Sequence, residues 1–262
     1  MPKLSVALVQ QDTAWHDPRT NLARAREAAA QAASGGAQVV AFCELFTTGF
    51  TMSPEPFAEP IPGPTTDAMA KVVKELGVWI VASGVEWHAP LPRNAAFAIR
   101  PDGTLAATYR KIHPFSFGDE NRHYSGGDDC PVFELDGVRA GLQICYDLRF
   151  PETFRRLSQR GAELVFVPAN WPARRATHWL TLLAARAIEN QMIVCGINRV
   201  GHDPTVEYPG LSAIHDARGE ALSRGDGRPG LVLATVDLDD LRAWRQEFPA
   251  LKDRRPEVYA TL

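Results

Sequence analysis

Apolar positions along this chain recur with two different periods. Residues 4–10 (Leu-Ser-Val-Ala-Leu-Val-Gln) are apolar on both parities, which predicts a first strand buried on both faces. Asp17-Pro18 then opens an alanine-rich helix to about Ala33, with an acidic N-cap, a proline in the first turn and Gly35-Gly36 as the stop. Residues 38–42 read as the second strand. The stretch 45–64 holds five prolines and predicts a long irregular loop, a usual place for function. A helix over 65–76, closed by Gly77, and a strand over 78–83 follow.

A hairpin is predicted next, from 95–100 and 104–109 about Pro101-Asp102-Gly103, and its second strand runs directly into Arg110-Lys111. After a polar loop over 112–129, a second hairpin (132–135 and 138–144, about Asp136-Gly137) delivers Cys145. From Pro151 the apolar residues return at helical spacing. Residues 164–167 predict a buried strand ending at Pro168-Ala169-Asn170-Trp171, 177–190 a helix and 192–197 a strand. Segments 211–215, 220–223 and 231–236 read as antiparallel strands, and the charged remainder from Asp237 as a short helix plus a tail. Hairpins together with crossover helices predict mixed sheets covered by helices, hence the α/β class. With no repeat, low-complexity run or linker, one domain over 1–262 is expected, with its core at about 4–236.

Composition narrows the partners. The chain has 262 residues, 45% hydrophobic and 23% charged, with formal net charge -3. Its arginine pairs are scattered among acids, which argues against nucleic acid or an anionic membrane. Cys43, Cys130, Cys145 and Cys195 are far apart with no matching histidine cluster, so neither a zinc site nor a disulfide framework is expected. The first ten residues lack a long apolar stretch with a cleavage site, and no run reaches membrane-spanning length. A reducing, cytoplasmic setting is the expectation.

Four polar features stand just after predicted strand ends: Glu44, Lys111, Cys145 and Asn170-Trp171. If those ends share one edge, they converge in the usual α/β crevice. Each has a bland reading as well. Cys145 is also read as a small core hydrophobe, Glu44 as a loop cap and Lys111 as a solvated pair with Arg110. Convergence of a carboxylate, an ammonium and a thiol is harder to explain as packing. A free thiol ionises near pH 8.5, so at neutral pH it needs a base or a positive field, which Glu44 and Lys111 respectively offer. A Cys-His pairing is the alternative, with His113 the only histidine near these motifs.

The segments Phe42-Cys43-Glu44-Leu45-Phe46, Tyr109-Arg110-Lys111-Ile112-His113 and Ile144-Cys145-Tyr146-Asp147-Leu148-Arg149 resemble, in order and spacing, the Glu, Lys and Cys motifs of the nitrilase superfamily of carbon-nitrogen hydrolases. The resemblance spans Val6 to about Val236. It implies a four-layer αββα sandwich, two of which pack into an αββα-αββα homodimer with the tail 237–262 at the interface, and no metal or organic cofactor. It also implies a second glutamate shortly after the lysine, which Glu120 matches because Ser125-Gly126-Gly127-Asp128 follows. Cys145-Tyr146-Asp147 resembles the amidase branches, where true nitrilases usually show Trp-Glu. Pro168-Ala169-Asn170-Trp171-Pro172 and Ala185-Arg186-Ala187-Ile188-Glu189-Asn190-Gln191 look most like the omega-amidase group, acting on small omega-amides of 2-oxo acids. N-carbamoyl amino acid amidohydrolases, nitrilases and a non-catalytic scaffold of the same fold are the alternatives.

The mechanism expected on this basis has Glu44 as base for the Cys145 thiol, with the oxyanion held by the Lys111 ammonium and the backbone N–H of Tyr146. Glu120 would orient substrate or keep Lys111 charged. Asn170 and Trp171 are expected at the substrate. A substrate carboxylate needs a further cation, for which Arg149 is the first candidate and Arg174 and Arg175 its competitors. The other reading of Arg149 pairs it with Glu152 or another acid to brace the turn.

Overall fold

The doubly apolar run at the N-terminus becomes an inner strand, and this sets the frame. In the computed structural model, which describes residues 3–259 and 261, β1 (Lys3–Gln10) is buried from Val6 onward. The chain continues through α1 (Pro18–Ser34), β2 (Val39–Phe42), α2 (Pro64–Leu76), β3 (Trp79–Glu86), β4 (Arg93–Ile99), β5 (Leu105–Arg110) and α3 (Glu120–His123). Then come β6 (Val132–Leu135), β7 (Val138–Leu142), α4 (Pro151–Gln159), β8 (Leu164–Ala169), α5 (Ala176–Asn190) and β9 (Ile193–Asn198). The last part holds β10 (Val200–His202), β11 (Glu207–Pro209), β12 (Ala213–His215), β13 (Ala221–Arg224), β14 (Gly230–Asp237), α6 (Leu238–Glu247) and α7 (Pro256–Tyr259).

Capping follows the sequence signals. The Asp17 side chain accepts from Thr20 N at the start of α1, and Pro18, Pro64 and Pro151 sit in first turns, where a missing N–H costs nothing. Gly77 closes α2 at φ 69°, in the left-handed region open to glycine.

Two six-stranded sheets result, ordered β14-β1-β2-β3-β4-β5 and β13-β12-β9-β8-β7-β6. Counted from β14 in one sheet and from β6 in the other, the pairings run antiparallel, parallel, parallel, antiparallel, antiparallel in both. This pattern recurs although the sequence carries no repeat. The sheets pack face to face, β1 on β9 and β2 and β3 on β8, with α1 and α2 outside one and α4 and α5 outside the other. That is the expected αββα sandwich. Strands β2, β3, β8 and β9 are buried throughout, and each large apolar side chain so buried contributes about 1.5–3 kcal/mol.

Of the loop expected over 45–64, Pro64 opens α2, and 45–63 contains only a 3-10 turn, Glu55–Phe57, and one isolated bridge, Glu59 to Glu86. The strand expected over 211–215 shortens to β12, because Leu211 turns into the left-handed region (φ 59°). Just before it, β10 and β11 form a separate ribbon that the sequence pattern did not announce. No described helix is long and apolar enough to cross a membrane.

Candidate active site

Strands β2 and β5 of one sheet and β7 and β8 of the other deliver their following residues to one place. Glu44, Lys111, Cys145 and Asn170 all stand within three residues of these strand ends. Lys111 is 1% exposed and donates to Glu44 Oε1 at 2.8 Å and to Glu120 Oε1 and Oε2 at 3.0 and 2.8 Å. Glu44 and Glu120 are both wholly buried. The first residue of α3 thus completes a carboxylate-ammonium-carboxylate cluster. Asn94, the second residue of β4, donates its Nδ2 to Glu44 Oε1 (2.7 Å) and Glu120 Oε1 (3.1 Å), and Phe115 N donates to Glu120 Oε2 at 2.6 Å. The Gly127 backbone closes against the same strand end, its N–H on Lys111 O at 2.8 Å, and a Cβ there would overlap the Arg110 carbonyl oxygen.

Two buried carboxylates share one buried cation, and the proton affinities follow. Burial alone would pull Lys111 down, but Glu120 and Glu44 outweigh it and hold the ammonium well above the usual lysine range. Burial pushes Glu120 up, with Lys111 opposing and Glu44 adding to the rise. Lys111 is therefore a fixed cation.

Cys145 opens a 3-10 turn, Cys145–Arg149, and adopts φ 44°. A non-glycine residue there costs about 1–3 kcal/mol, so the surroundings must impose it. Asp147, wholly buried, does so. It accepts from Ile144 N (3.0 Å), the Tyr109 hydroxyl (2.7 Å), and His113 N and Nδ1 (3.0 and 2.8 Å). The turn that carries Cys145 is thereby tied to the strand end that carries Lys111. His113 also stacks on Phe150 at 3.8 Å, so it braces this turn and its Nδ1 is engaged with Asp147. Burial and then the Glu44 carboxylate push the Cys145 thiol well above its ordinary value, against the pull of Lys111. The resting sulfur is a thiol. Tyr146 comes next, in the first turn, where N–H groups find no partner within the helix.

Asn170 joins the two sheets at the site. Its backbone N donates to Glu44 Oε2 (2.9 Å) and its Nδ2 to the Glu44 carbonyl oxygen (2.7 Å), which leaves Oδ1 buried and unpaired. Its amide nitrogen is therefore engaged with Glu44, although the residue was expected at the substrate. Cys145, Tyr146, Arg149, Asn170 and Trp171 all line one cleft. Phe50 from the proline-rich loop, Phe115, and Val206 and Tyr208 of the β10–β11 ribbon close it.

The cleft also holds Arg149, Arg174 and Arg175. Arg149 lies 4.7 Å from the Trp171 ring and donates to His178 Nδ1 at 3.2 Å. Glu152 is not its partner, and among the described residues no carboxylate is. Trp171 is fixed as its platform by Nε1 donating to Arg175 O at 2.8 Å. Arg175 sits against Phe115 and Phe117, its proton affinity lowered by burial and by Arg174 and Arg149 nearby.

Comparison with known proteins agrees with this geometry. The model of the carbon-nitrogen hydrolase family matches residues 5–246. A 2-oxoglutaramate amidase of Bacillus subtilis (strain 168) is 35% identical over 98% of this chain and all of its own length. An omega-amidase of Yersinia enterocolitica is 37% identical over 97% of each chain. Among solved structures, a CN-hydrolase superfamily protein from Xanthomonas campestris with an arsenic adduct in its active site aligns with TM-score 0.90 at 35% identity, over 97% of this chain and 98% of that one. A glutamate-to-glutamine variant of the amidase from Nesterenkonia sp. AN1, with the acetamide moiety of fluoroacetamide added to its active-site cysteine, aligns with TM-score 0.88 at 27% identity, over 98% and 96%. On sequence and overall structure alike, this chain belongs to the carbon-nitrogen hydrolase family, within the nitrilase superfamily.

Proposed function

We propose that this enzyme hydrolyses the terminal amide of a small carboxylate-bearing substrate, an omega-amide of a 2-oxo acid, through a thioester on Cys145. The observation that carries the reading is the buried Glu44-Lys111-Glu120 cluster beside a cleft whose three arginines have no carboxylate partner among the described residues. The names of the amidase relatives support the same substrate class.

Because the resting sulfur is a thiol, its proton must leave as it attacks. Glu44 takes that proton while the S–C bond forms. Glu44 Oε1 is occupied by Lys111 and Asn94, so Oε2, with the Asn170 N–H as its close partner, is the oxygen that receives it. The oxyanion is held by Lys111 and the Tyr146 N–H. As the C–N bond breaks, Glu44 returns the proton and ammonia departs. Glu44 next takes a proton from water as the oxygen attacks the thioester carbonyl, and it returns that proton to the sulfur as the S–C bond breaks, which restores both the thiol and the carboxylate as the acid leaves. Glu120 keeps Lys111 charged. Arg149, its guanidinium carbon 4.7 Å from the Trp171 ring, is the reader of the substrate carboxylate.

The same reading includes a cytoplasmic homodimer with residues 237–262 at its interface, supported by the exposed Phe248 and Tyr259 and by four free cysteines. Sedimentation of the wild type against Phe248→Asp tests the dimer. The activity is tested by ammonia release from omega-amides of 2-oxo acids, N-carbamoyl amino acids, nitriles and uncharged short amides, with Cys145→Ala as control. The omega-amides are expected to give the highest kcat/KM. A higher value for N-carbamoyl amino acids overturns the substrate class, and a Cys145→Ala variant retaining a tenth of the rate overturns the mechanism.

A further inference from the structure

One side chain touches both carboxylates of the cluster without carrying charge. Asn94 reaches Glu44 Oε1 and Glu120 Oε1 with the same amide nitrogen, and it is 1% exposed. Its orientation is dictated by a chain of buried donors. Leu45 N donates to Ser83 Oγ at 3.0 Å, so the Ser83 hydroxyl must direct its own proton to Asn94 Oδ1, 3.3 Å away, and Asn94 Nδ2 is left facing the acids. The backbone serves the same purpose, since Asn94 O accepts from Lys111 N at 2.9 Å.

We infer that Asn94, oriented by Ser83, is a positioning residue that keeps the Glu44 and Glu120 carboxylates ionised side by side, and so sets the lower pH bound of catalysis. The inference rests on the role of Glu44 as base given above. Lys111 supplies one positive charge to two carboxylates, which leaves one negative charge uncompensated among buried side chains. A proton is the simplest way to relieve that charge, and a protonated Glu44 cannot accept from the thiol. The two Nδ2 hydrogens favour the ionised form of both acids at once and carry no proton that could be transferred. The other titratable groups facing the pair, Cys145, Tyr124, Tyr208 and Cys43, are neutral when protonated and do not replace it. Asn170 N and Phe115 N each serve one carboxylate only.

The test is the pH dependence of kcat/KM and of iodoacetamide inactivation at Cys145, in the wild type, Asn94→Ser and Ser83→Ala. Removing hydrogen bonds to an ionised carboxylate raises its proton affinity, so the acid limb of both profiles is expected to move up by about one pH unit in Asn94→Ser. A smaller shift in the same direction is expected in Ser83→Ala, which keeps the amide but frees it to rotate. The signature is a loss near tenfold below the limb that is recovered above it. Should Asn94→Ser fail to fold, Ser83→Ala carries the test. A uniform fall in rate with the limb unmoved assigns Asn94 to packing and overturns the inference while leaving Glu44 as base. A wild type with no acid limb in either profile overturns both.

Discussion

Lys111→Met removes the one cation from between two buried carboxylates and leaves a side chain of similar length. Three short contacts disappear, at 2.8, 3.0 and 2.8 Å, among groups 0–1% exposed. Removing one partner of a buried pair costs about 3–5 kcal/mol, because the other is left charged without compensation. Here two carboxylates are left, and protonation of one relieves the repulsion. Their proton affinity in the folded variant then exceeds that in the unfolded chain, so the relief is complete below the ordinary carboxylate value of about 4.3 and is lost as pH rises through the folded value. The loss of stability is thus expected near 3–5 kcal/mol at pH 7.5 and much smaller at pH 5. Urea melts at the two pH values measure it. Turnover should fall further, by at least the 10²–10³ typical of a lost oxyanion donor, and in kcat. A variant whose melts match the wild type at both pH values, with only KM raised, refutes the reasoning and makes Lys111 a substrate-binding group.

Glu44→Gln keeps the shape and removes proton transfer, so ammonia release should fall by about 10²–10⁴ with both acylation and deacylation slowed. Rapid acylation with slow deacylation, seen by single-turnover kinetics, would transfer the base role to Glu120. Arg149→Lys loses the planar, two-pronged guanidinium beside Trp171 and should lower kcat/KM for an omega-amide carrying a carboxylate by more than about tenfold while sparing an uncharged short amide. Equal losses on both move the search to Arg174 and Arg175. Stability should also decline at alkaline pH. Burial and Asp147 push Tyr109 up, burial and Glu120 push Tyr124 up, burial and Glu44 push Cys145 up, and the two carboxylates outweigh burial at Lys111. All four hold protons more tightly folded than unfolded, so their contribution is intact below about pH 8.5 and lost as pH rises through the folded values. A urea midpoint that stays constant from pH 8 to 11 refutes this.

Strand ends made the site legible. Glu44, Lys111, Cys145 and Asn170 each follow an apolar run whose end is plain in the sequence, and the sheet order brings those ends together. Glu120 stood out only through resemblance, since an acid in a polar loop has no periodicity of its own. Asn94 carries no such signal, because the apolar run that predicts the strand begins at Ala95 and the asparagine before it has the look of a loop residue. Asp147 was part of a motif, but its load, four hydrogen bonds from three residues, depends on where Tyr109 and His113 arrive in space. The ribbon carrying Val206 and Tyr208 has strands of three residues each, too short for alternation to register. The brace between Arg149 and Glu152 fails for a reason of the same kind: Trp171 competes for the guanidinium from another strand end, and sequence separation hid it.

The charged cluster Glu44, Lys111 and Glu120, with the Asn94 amide that bridges its carboxylates, comes from one sheet and its loops, whereas Cys145 and Asn170 come from the other. The hydrogen bonds from Asn170 to Glu44 are stitches across that seam. Neither half alone holds a working set, so catalysis is a gauge of how tightly the sheets are docked. Mild denaturant that loosens the seam by an ångström should silence the enzyme while every strand keeps its own ladder, and lost activity would then precede any change in far-ultraviolet circular dichroism.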